Sequence, residues 1–152
     1  MWTAKGVRPV VMSTGSHQKT SVFGTISMDG SRQFFRQYHA FNQHSFLKYL
    51  KQLEKKFGRL ILFIDRAPEH YRSIKVKKHL EEHHDAIRIE YFPKGSPEFN
   101  AIEECWRQGK HDLLVSKYYP RFTYLLNKAI AEYYRTKRFN LDIVRYLLRN
   151  TT

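Results

Sequence analysis

The chain has 152 residues, which fits a single domain (1–152), and 41% of them are hydrophobic and 15% aromatic, enough to build a core. This composition excludes an intrinsically disordered chain, because such chains lack large apolar side chains. The formal net charge of +13, from 27 Lys and Arg against 14 Asp and Glu, attracts polyanions, so nucleic acid is the expected partner and a merely soluble basic protein is the alternative.

The first third of the chain has the pattern of β-strands. Residues 8–12, 21–28 and 32–40 are runs rich in β-branched and aromatic residues. Asp29 and Gly30, between the second and third runs, are a strong signal for a hairpin turn. Alternate residues of the second run are predicted to share one apolar face: Val22, Gly24, Ile26 and Met28.

The middle third alternates helices and strands. A helix is expected after the N-cap residue Asn42, with Gly58 ending it. The apolar run 59–65 has the length of a strand and the continuous character of one buried on both faces. A helix over about residues 69–84 then leads to a second strand, 87–92, so the two strands should pair in parallel through a right-handed crossover. The buried stripe of the first helix is predicted to contain Phe46, Leu47, Leu50, Leu53 and Phe57.

Three helices are expected in the last third. Ser96 and Pro97 begin the first, Pro120 begins the second, and the third lies within residues 141–150. Helical spacing predicts their buried residues. These are Phe99, Ile102, Trp106, Leu113 and Leu114 in the first helix, Phe122, Leu125, Leu126, Ile130, Tyr133 and Tyr134 in the second, and Leu141, Val144, Leu147 and Leu148 in the third. The whole order indicates a mixed α/β domain.

Two carboxylates are the best candidates for chemistry. Asp65 ends the most apolar strand, and in open α/β sheets ligands gather outside the carboxyl ends of strands. Glu103 is expected one turn into its helix, while its neighbour Glu104 points away and is expected to be solvated. Each candidate also has a plainer interpretation, Asp65 as a loop or capping residue and Glu103 as a charge that stabilises a helix N-terminus. Together they suit a divalent cation that acts on phosphodiesters.

The segments around both carboxylates resemble a known family. Residues 60–70 (LILFIDRAPEH) and 91–110 (YFPKGSPEFNAIEECWRQGK) are similar to the second half of the DDE catalytic domain of mariner-type transposases, in particular the IS-six-thirty insertion-sequence group. The likeness covers about residues 2–115. The matching motif positions are Asp65, Ala67 and His70 in the first segment and Ser96, Pro97, Asn100, Ile102, Glu103 and Trp106 in the second.

This resemblance implies a fold, a reaction and a cofactor. The fold would be RNase H-like, a mixed sheet with flanking helices, and the reaction would be DNA cleavage and strand transfer on transposon ends and target DNA. Asp65 and Glu103 would be catalytic residues that hold Mg²⁺ or Mn²⁺, with their carboxylates within a metal ion's reach of each other. The residues expected to bind DNA are Arg66, His70, Lys94, Arg107 and Lys110.

The chain also departs from the family pattern. Arg66 replaces the usual Asn and either grips DNA phosphate or pairs with Asp65, and Ala101 replaces the usual Pro. The family's first catalytic Asp ends a strand that precedes the position of Trp2, so we expect this central strand and the DNA-reading region to be missing. Its neighbouring strands would expose their edges, which predicts a homodimer by strand pairing or exchange and little or no cleavage by the isolated chain. A non-catalytic DNA-binding or dimerisation remnant of a transposase is the alternative.

The remaining reactive residues have plainer interpretations. Cys105 is expected to pack in the core, and a single cysteine excludes internal disulfides and fits a reducing cytosol. His79, His83 and His84 have no carboxylate or cysteine partner at zinc-site spacing and are predicted to be solvated. No apolar run approaches the roughly 20 residues of a membrane helix, so we expect a cytoplasmic protein without a membrane partner.

Overall fold

A computed structural model of the chain describes residues 20–66, 72–94, 100–115 and 117–145. Its elements in chain order are β1 (Ser21–Ile26), β2 (Gln33–Tyr38), α1 (Gln43–Phe57), β3 (Leu60–Ile64), α2 (Ile74–Glu82), β4 (Ile87–Tyr91), α3 (Ile102–Leu114) and α4 (Phe122–Thr136). This order confirms the mixed α/β class. The predicted strand at 8–12 lies outside the described residues, as do His70, Ser96, Pro97, Phe99, Leu147 and Leu148. Within the described ranges, no helix has the length and apolar character needed to cross a bilayer.

The predicted hairpin is present, with β1 and β2 paired antiparallel over their full lengths. Gly30 closes the turn at φ 72°, in the left-handed region that suits glycine. The Asp29 carboxylate accepts hydrogen bonds from the hydroxyl groups of Ser27 at 2.5 Å and Ser31 at 2.7 Å, and these bonds lower the pKa of Asp29 to about 2. Met28, assigned from the sequence to the apolar face of the strand, lies in this turn and is half exposed.

The signals at both ends of α1 also act as predicted. The Asn42 side chain accepts hydrogen bonds from the backbone N–H groups of His44 and Ser45, both at 3.0 Å. Gly58 ends the helix at φ 68°. The buried residues of the helix are Phe46, Tyr49, Leu50 and Leu53. Three of these four belong to the predicted stripe, and Tyr49 is the addition.

Apolar clusters lie on both faces of the β1–β2 hairpin. Residues on the α1 side form a cluster that includes Phe23, Phe34, Phe46, Tyr49, Leu50 and Leu53. Residues on the α3 side form a second cluster that includes Val22, Ile26, Phe35, Cys105, Trp106 and Phe139. Cys105 is fully buried there, as predicted, and burial raises the pKa of its thiol to about 12. The hairpin is therefore the centre of a sandwich with helices on either side.

The second sheet pairs β3 and β4 in parallel, as predicted, from Leu60 opposite Ile87 to Ile64 opposite Tyr91. The prediction that this strand is buried on both faces is wrong. Successive side chains of a strand point to opposite faces. Leu62 packs into the α1-side cluster, with 7% of its surface exposed, whereas Ile61 is 58% and Phe63 52% exposed.

Helix starts are less regular than the sequence suggests. α2 begins at Ile74 rather than near residue 69, because Ser73 has extended backbone and its hydroxyl accepts a hydrogen bond from the N–H of Val76 at 3.2 Å. α3 begins at Ile102 without a side-chain cap. Glu103 therefore occupies the first turn of its helix, and not a position one turn further in.

The C-terminal helices keep most of their predicted apolar stripe. Leu113 of α3 packs with Leu126 and Ile130 of α4, close to Tyr133 and Tyr134. The predicted burial of two residues is wrong: Leu114 is 47% and Val144 is 53% exposed. Each is about 100° around the helix from a buried neighbour, Leu113 and Ile143 respectively, so only one residue of each pair can face the core.

Candidate functional site

Asp65 and Glu103 border the same cavity, which has a volume of about 440 Å³. Asp65 directly follows β3, at the carboxyl end of the strand, and Glu103 lies in the first turn of α3. Both residues are exposed. The structure therefore places the two predicted carboxylates, which come from the ends of different elements, around one solvent-accessible space.

The cavity lies between two strands that do not pair with each other. Consecutive residues 22–28, from β1 and its turn, and 59–65, from β3 and its flanks, line it. Among the described residues β1 pairs only with β2, and β3 only with β4, so each of the two strands has an edge without a strand partner. Successive residues of each strand line the cavity, although their side chains point to opposite faces of the sheet. This is expected where the edge of a strand, and not one of its faces, borders the cavity.

Two of the predicted DNA-binding residues lie at the same end of the sheet as Asp65. Arg66 follows it directly, and the Arg66 guanidinium lies 5.7 Å from the centre of the Tyr91 ring. Lys94 follows β4 and is exposed. Because β3 and β4 are parallel, the residues after both strands lie at one edge. Two cations, of which Arg66 lies over an aromatic ring, thus accompany the carboxylate there.

Two more of the predicted DNA-binding residues are on α3, and the fifth, His70, lies outside the described residues. Lys110 is exposed. Arg107 instead binds Glu104, with Nε and Nη2 donating to its carboxylate at 2.8 and 2.6 Å. This pairing and a bond from Gln108 lower the pKa of Glu104, so the expectation of a freely solvated Glu104 is wrong. Glu104 does not border the cavity that Glu103 borders.

A second group of potential metal ligands lies away from this cavity. Among the described residues, three side chains of His, Cys, Asp or Glu bring ligand atoms within 4.8 Å of one another at one place, formed by Glu54, His79 and His83. Both histidines therefore have a carboxylate partner, contrary to the prediction, and the prediction that His79 is solvated is wrong, while the His83 side chain is 41% exposed. His79 is 6% exposed; burial and the neighbouring His83 lower its pKa, with Glu54 acting in the opposite direction. His84 is exposed, as predicted.

The sequence interpretation missed this group because its members lie on two helices. His79 and His83 are four residues apart, which places them on one face of α2, and this spacing is a visible signal. Their carboxylate partner, Glu54, lies in the last turns of α1, with β3 between the two helices in the chain. Only the packing of α1 against α2 brings it to them.

Comparison with known proteins identifies a family. The family described as "DDE superfamily endonuclease" matches residues 1–125, which include β1 to β4, α1 to α3 and both cavity carboxylates. No curated protein matches the chain, and no solved structure does. With the family match covering most of its 152 residues, the chain belongs to the DDE superfamily endonucleases.

Proposed function

We propose that this chain is the catalytic core of a mariner-type transposase of the IS-six-thirty group, with Asp65 and Glu103 as its metal-holding catalytic residues. One observation carries the proposal: these two carboxylates border one cavity in a chain that belongs to the DDE endonucleases. Enzymes of that family act on DNA and usually use divalent metals. The reaction we propose is therefore metal-dependent cleavage and transfer of DNA strands.

The donor chemistry of the cavity suits Mg²⁺ or Mn²⁺. Both candidate ligands are carboxylates, and hard divalent cations prefer oxygen ligands and keep several bound waters. The exposure of Asp65 and Glu103 leaves room for those waters. A divalent ion held here would activate the attacking water or 3′-hydroxyl and stabilise the leaving oxygen.

Basic side chains near the cavity would hold the DNA backbone. We assign Arg66 and Lys94, at the sheet edge beside Asp65, to phosphate contacts, with Lys110 further along α3. Arg107 would join them through its exposed guanidinium, although it also holds Glu104. We also assign His70 to phosphate contacts, because it matches a position of the family motif. The net charge of +13 would add affinity that is independent of sequence and sensitive to salt.

A third carboxylate completes the site in our proposal. Among the described residues, neither Asp65 nor Glu103 belongs to a group of three His, Cys, Asp or Glu ligand atoms that lie within 4.8 Å of one another. We propose that a strand bearing the first catalytic Asp pairs with those edges of β1 and β3 that have no strand partner among the described residues, and fills the cavity between them. Residues 1–19 contain no acidic residue and so do not supply it. Pairing or exchange of such a strand would also favour a homodimer.

Metal binding tests the two assigned carboxylates directly. Titration of the protein with Mn²⁺, followed by electron paramagnetic resonance, should show binding that Asp65→Asn and Glu103→Gln each weaken. Glu104→Gln is the matched control, because Glu104 adjoins Glu103 in the chain yet binds Arg107 away from the cavity. If the control loses Mn²⁺ and the two site variants keep it, the assignment is wrong.

DNA binding tests the phosphate contacts. Arg66→Ala and Lys94→Ala should each weaken binding to a short DNA duplex. Each should also make the fall of log affinity with log salt concentration less steep, by about one in the slope. Lys78→Ala is the control, since Lys78 is an exposed lysine on α2 that lies 3.8 Å from Glu82. Equal effects of all three changes would mean that the contacts are not localised at the cavity.

A strand-cleavage assay tests whether the site of Asp65 and Glu103 is complete. Incubation with supercoiled plasmid and Mn²⁺ should give little or no cleavage by the isolated chain, because neither Asp65 nor Glu103 belongs to a group of three ligands among the residues that the structure describes. Robust cleavage that Asp65→Ala abolishes would show a complete site and refute the third-strand proposal. The alternative, a non-catalytic DNA-binding or dimerisation remnant, is favoured by the lack of a three-ligand group around Asp65 and Glu103 among the described residues. It also predicts no cleavage, but it differs in predicting no Mn²⁺ binding at Asp65 and Glu103 and a DNA affinity that Asp65→Ala and Glu103→Ala leave unchanged.

A further inference from the structure

The group formed by Glu54, His79 and His83 has the composition of a transition-metal site. Glu54 lies near the end of α1, His79 lies within the last turn of α2, and His83 caps that helix. The Glu54 carboxylate reaches both rings: Oε1 lies 2.5 Å from His83 Nδ1, and Oε2 lies 3.4 Å from His79 Nε2. The two imidazole rings are 4.3 Å apart between centres. One atom of each side chain therefore points towards a common point.

The buried nitrogen of His79 points independently to a ligand. His79 is 6% exposed, and its Nε2 atom makes no hydrogen bond to any described residue. The contact of 3.4 Å with Glu54 Oε2 does not have hydrogen-bond geometry. Buried polar atoms are nearly always satisfied, because leaving one unpaired is costly. A cation between His79, His83 and Glu54 would satisfy this atom.

The distances suit a zinc ion. Zn²⁺ binds imidazole nitrogen and carboxylate oxygen at about 2.0–2.2 Å, so neighbouring ligand atoms of a tetrahedral site are about 3.3–3.5 Å apart. The separation of Glu54 Oε2 and His79 Nε2 is 3.4 Å, and all ligand atoms of the group lie within 4.8 Å. Glu54 Oε1 and His83 Nδ1, at 2.5 Å, lie closer together than two ligands of one ion, so their hydrogen bond would have to open by small rotations of these partly exposed side chains as the ion binds.

We propose that Glu54, His79 and His83 bind one Zn²⁺ ion, with water as the fourth ligand, and that this ion joins α1 to α2. Two imidazoles with one carboxylate favour zinc or a similar transition metal over Mg²⁺, which prefers oxygen alone. None of the three residues borders the cavity of Asp65 and Glu103. The ion is therefore distinct from the catalytic metal and stabilises the fold on the α1 side of the core.

Zinc titration of the untagged, chelator-stripped protein tests the proposal. Competition with a chromophoric chelator should show one bound Zn²⁺ per chain. Glu54→Gln and His83→Gln should abolish that binding, whereas His84→Gln should keep it, because His84 is the exposed neighbour of His83 outside the group. Zn²⁺ should also raise the thermal unfolding midpoints of the wild type and of His84→Gln, but not those of Glu54→Gln and His83→Gln.

Two further measurements guard against misfolded variants and against confusion with the other site. Co²⁺ bound to the wild type should give the intense visible absorption of a four- or five-coordinate site, a result that requires no variant. Asp65→Asn should keep full Zn²⁺ binding whether or not the proposed catalytic function holds. The proposal is overturned if the wild type binds no stoichiometric Zn²⁺, if Co²⁺ gives only the weak spectrum of six-coordinate ions, if Glu54→Gln or His83→Gln binds normally, or if Asp65→Asn loses the ion.

Discussion

Substitution of Gly109 tests how closely α3, the helix that carries Glu103, packs against α4. Alanine is ordinarily favoured over glycine within a helix by about 1 kcal/mol. A Cβ atom at Gly109, however, would overlap the Tyr134 hydroxyl and lie 2.8 Å from Tyr134 Cζ. The Tyr134 ring has little freedom to move, since its centre lies 5.0 Å from that of Phe35 and 5.5 Å from that of Trp106. Overpacking of this kind costs about 1–3 kcal/mol, and the helix preference of about 1 kcal/mol offsets part of it, so Gly109→Ala should lower the free energy of unfolding by up to about 2 kcal/mol in total.

Urea denaturation followed by circular dichroism measures this change. A double-mutant cycle with Tyr134→Phe, which removes the overlapping oxygen, should recover part of the loss. Lys110→Ala, at the exposed neighbouring position of the same helix, should change stability by no more than about 0.5 kcal/mol. If Gly109→Ala is as stable as the wild type or more stable, helix propensity outweighs packing and the reasoning is refuted. An absence of coupling with Tyr134→Phe would refute it as well.

Three further predictions concern single side chains. Tyr49→Phe should cost about 1–3 kcal/mol in urea denaturation, because it removes a hydroxyl that lies 2.8 Å from each of two oxygen atoms, whereas Tyr124→Phe at an exposed position should be near neutral. The pKa of Asp29 is lowered in the folded state from its usual 3.8 to about 2, so its contribution to stability is full above pH 3.8 and is lost as the pH falls towards 2. Asp29→Asn should remove this part of the pH dependence of thermal unfolding, and an unchanged profile would contradict the turn hydrogen bonds. Cys105, buried and with a thiol pKa of about 12, should react with a thiol reagent only after unfolding, and rapid labelling of the native protein would contradict its packing.

Features with local causes could be predicted from the sequence. The hairpin turn at Asp29 and Gly30 and the two ends of α1, at Asn42 and Gly58, are where the sequence signals place them. Each depends on hydrogen bonds or backbone angles within about four residues, so distant contacts do not alter it. The parallel pairing of β3 and β4 also follows from the order of elements alone.

Burial and helix starts could not be predicted in the same way. The apolar run of β3 suggested burial on both faces, yet Ile61 and Phe63 are more than half exposed. The hydrophobicity of a side chain shows that it can be buried, but it does not show whether another part of the chain packs against it. The start of α2 likewise depends on Ser73, whose hydroxyl donates to Gln43 of the neighbouring helix as well as capping its own.

The same distinction between local pattern and tertiary packing applies to the two groups of candidate metal ligands. The sequence by itself determined that Asp65 ends a strand and that Glu103 lies near the start of a helix, because both positions follow from local pattern. Only the tertiary structure decided that they border one cavity between β1 and β3, two strands that do not pair with each other. It alone also brought Glu54 to His79 and His83, because side chains on separate helices come within bonding distance only when those helices pack together.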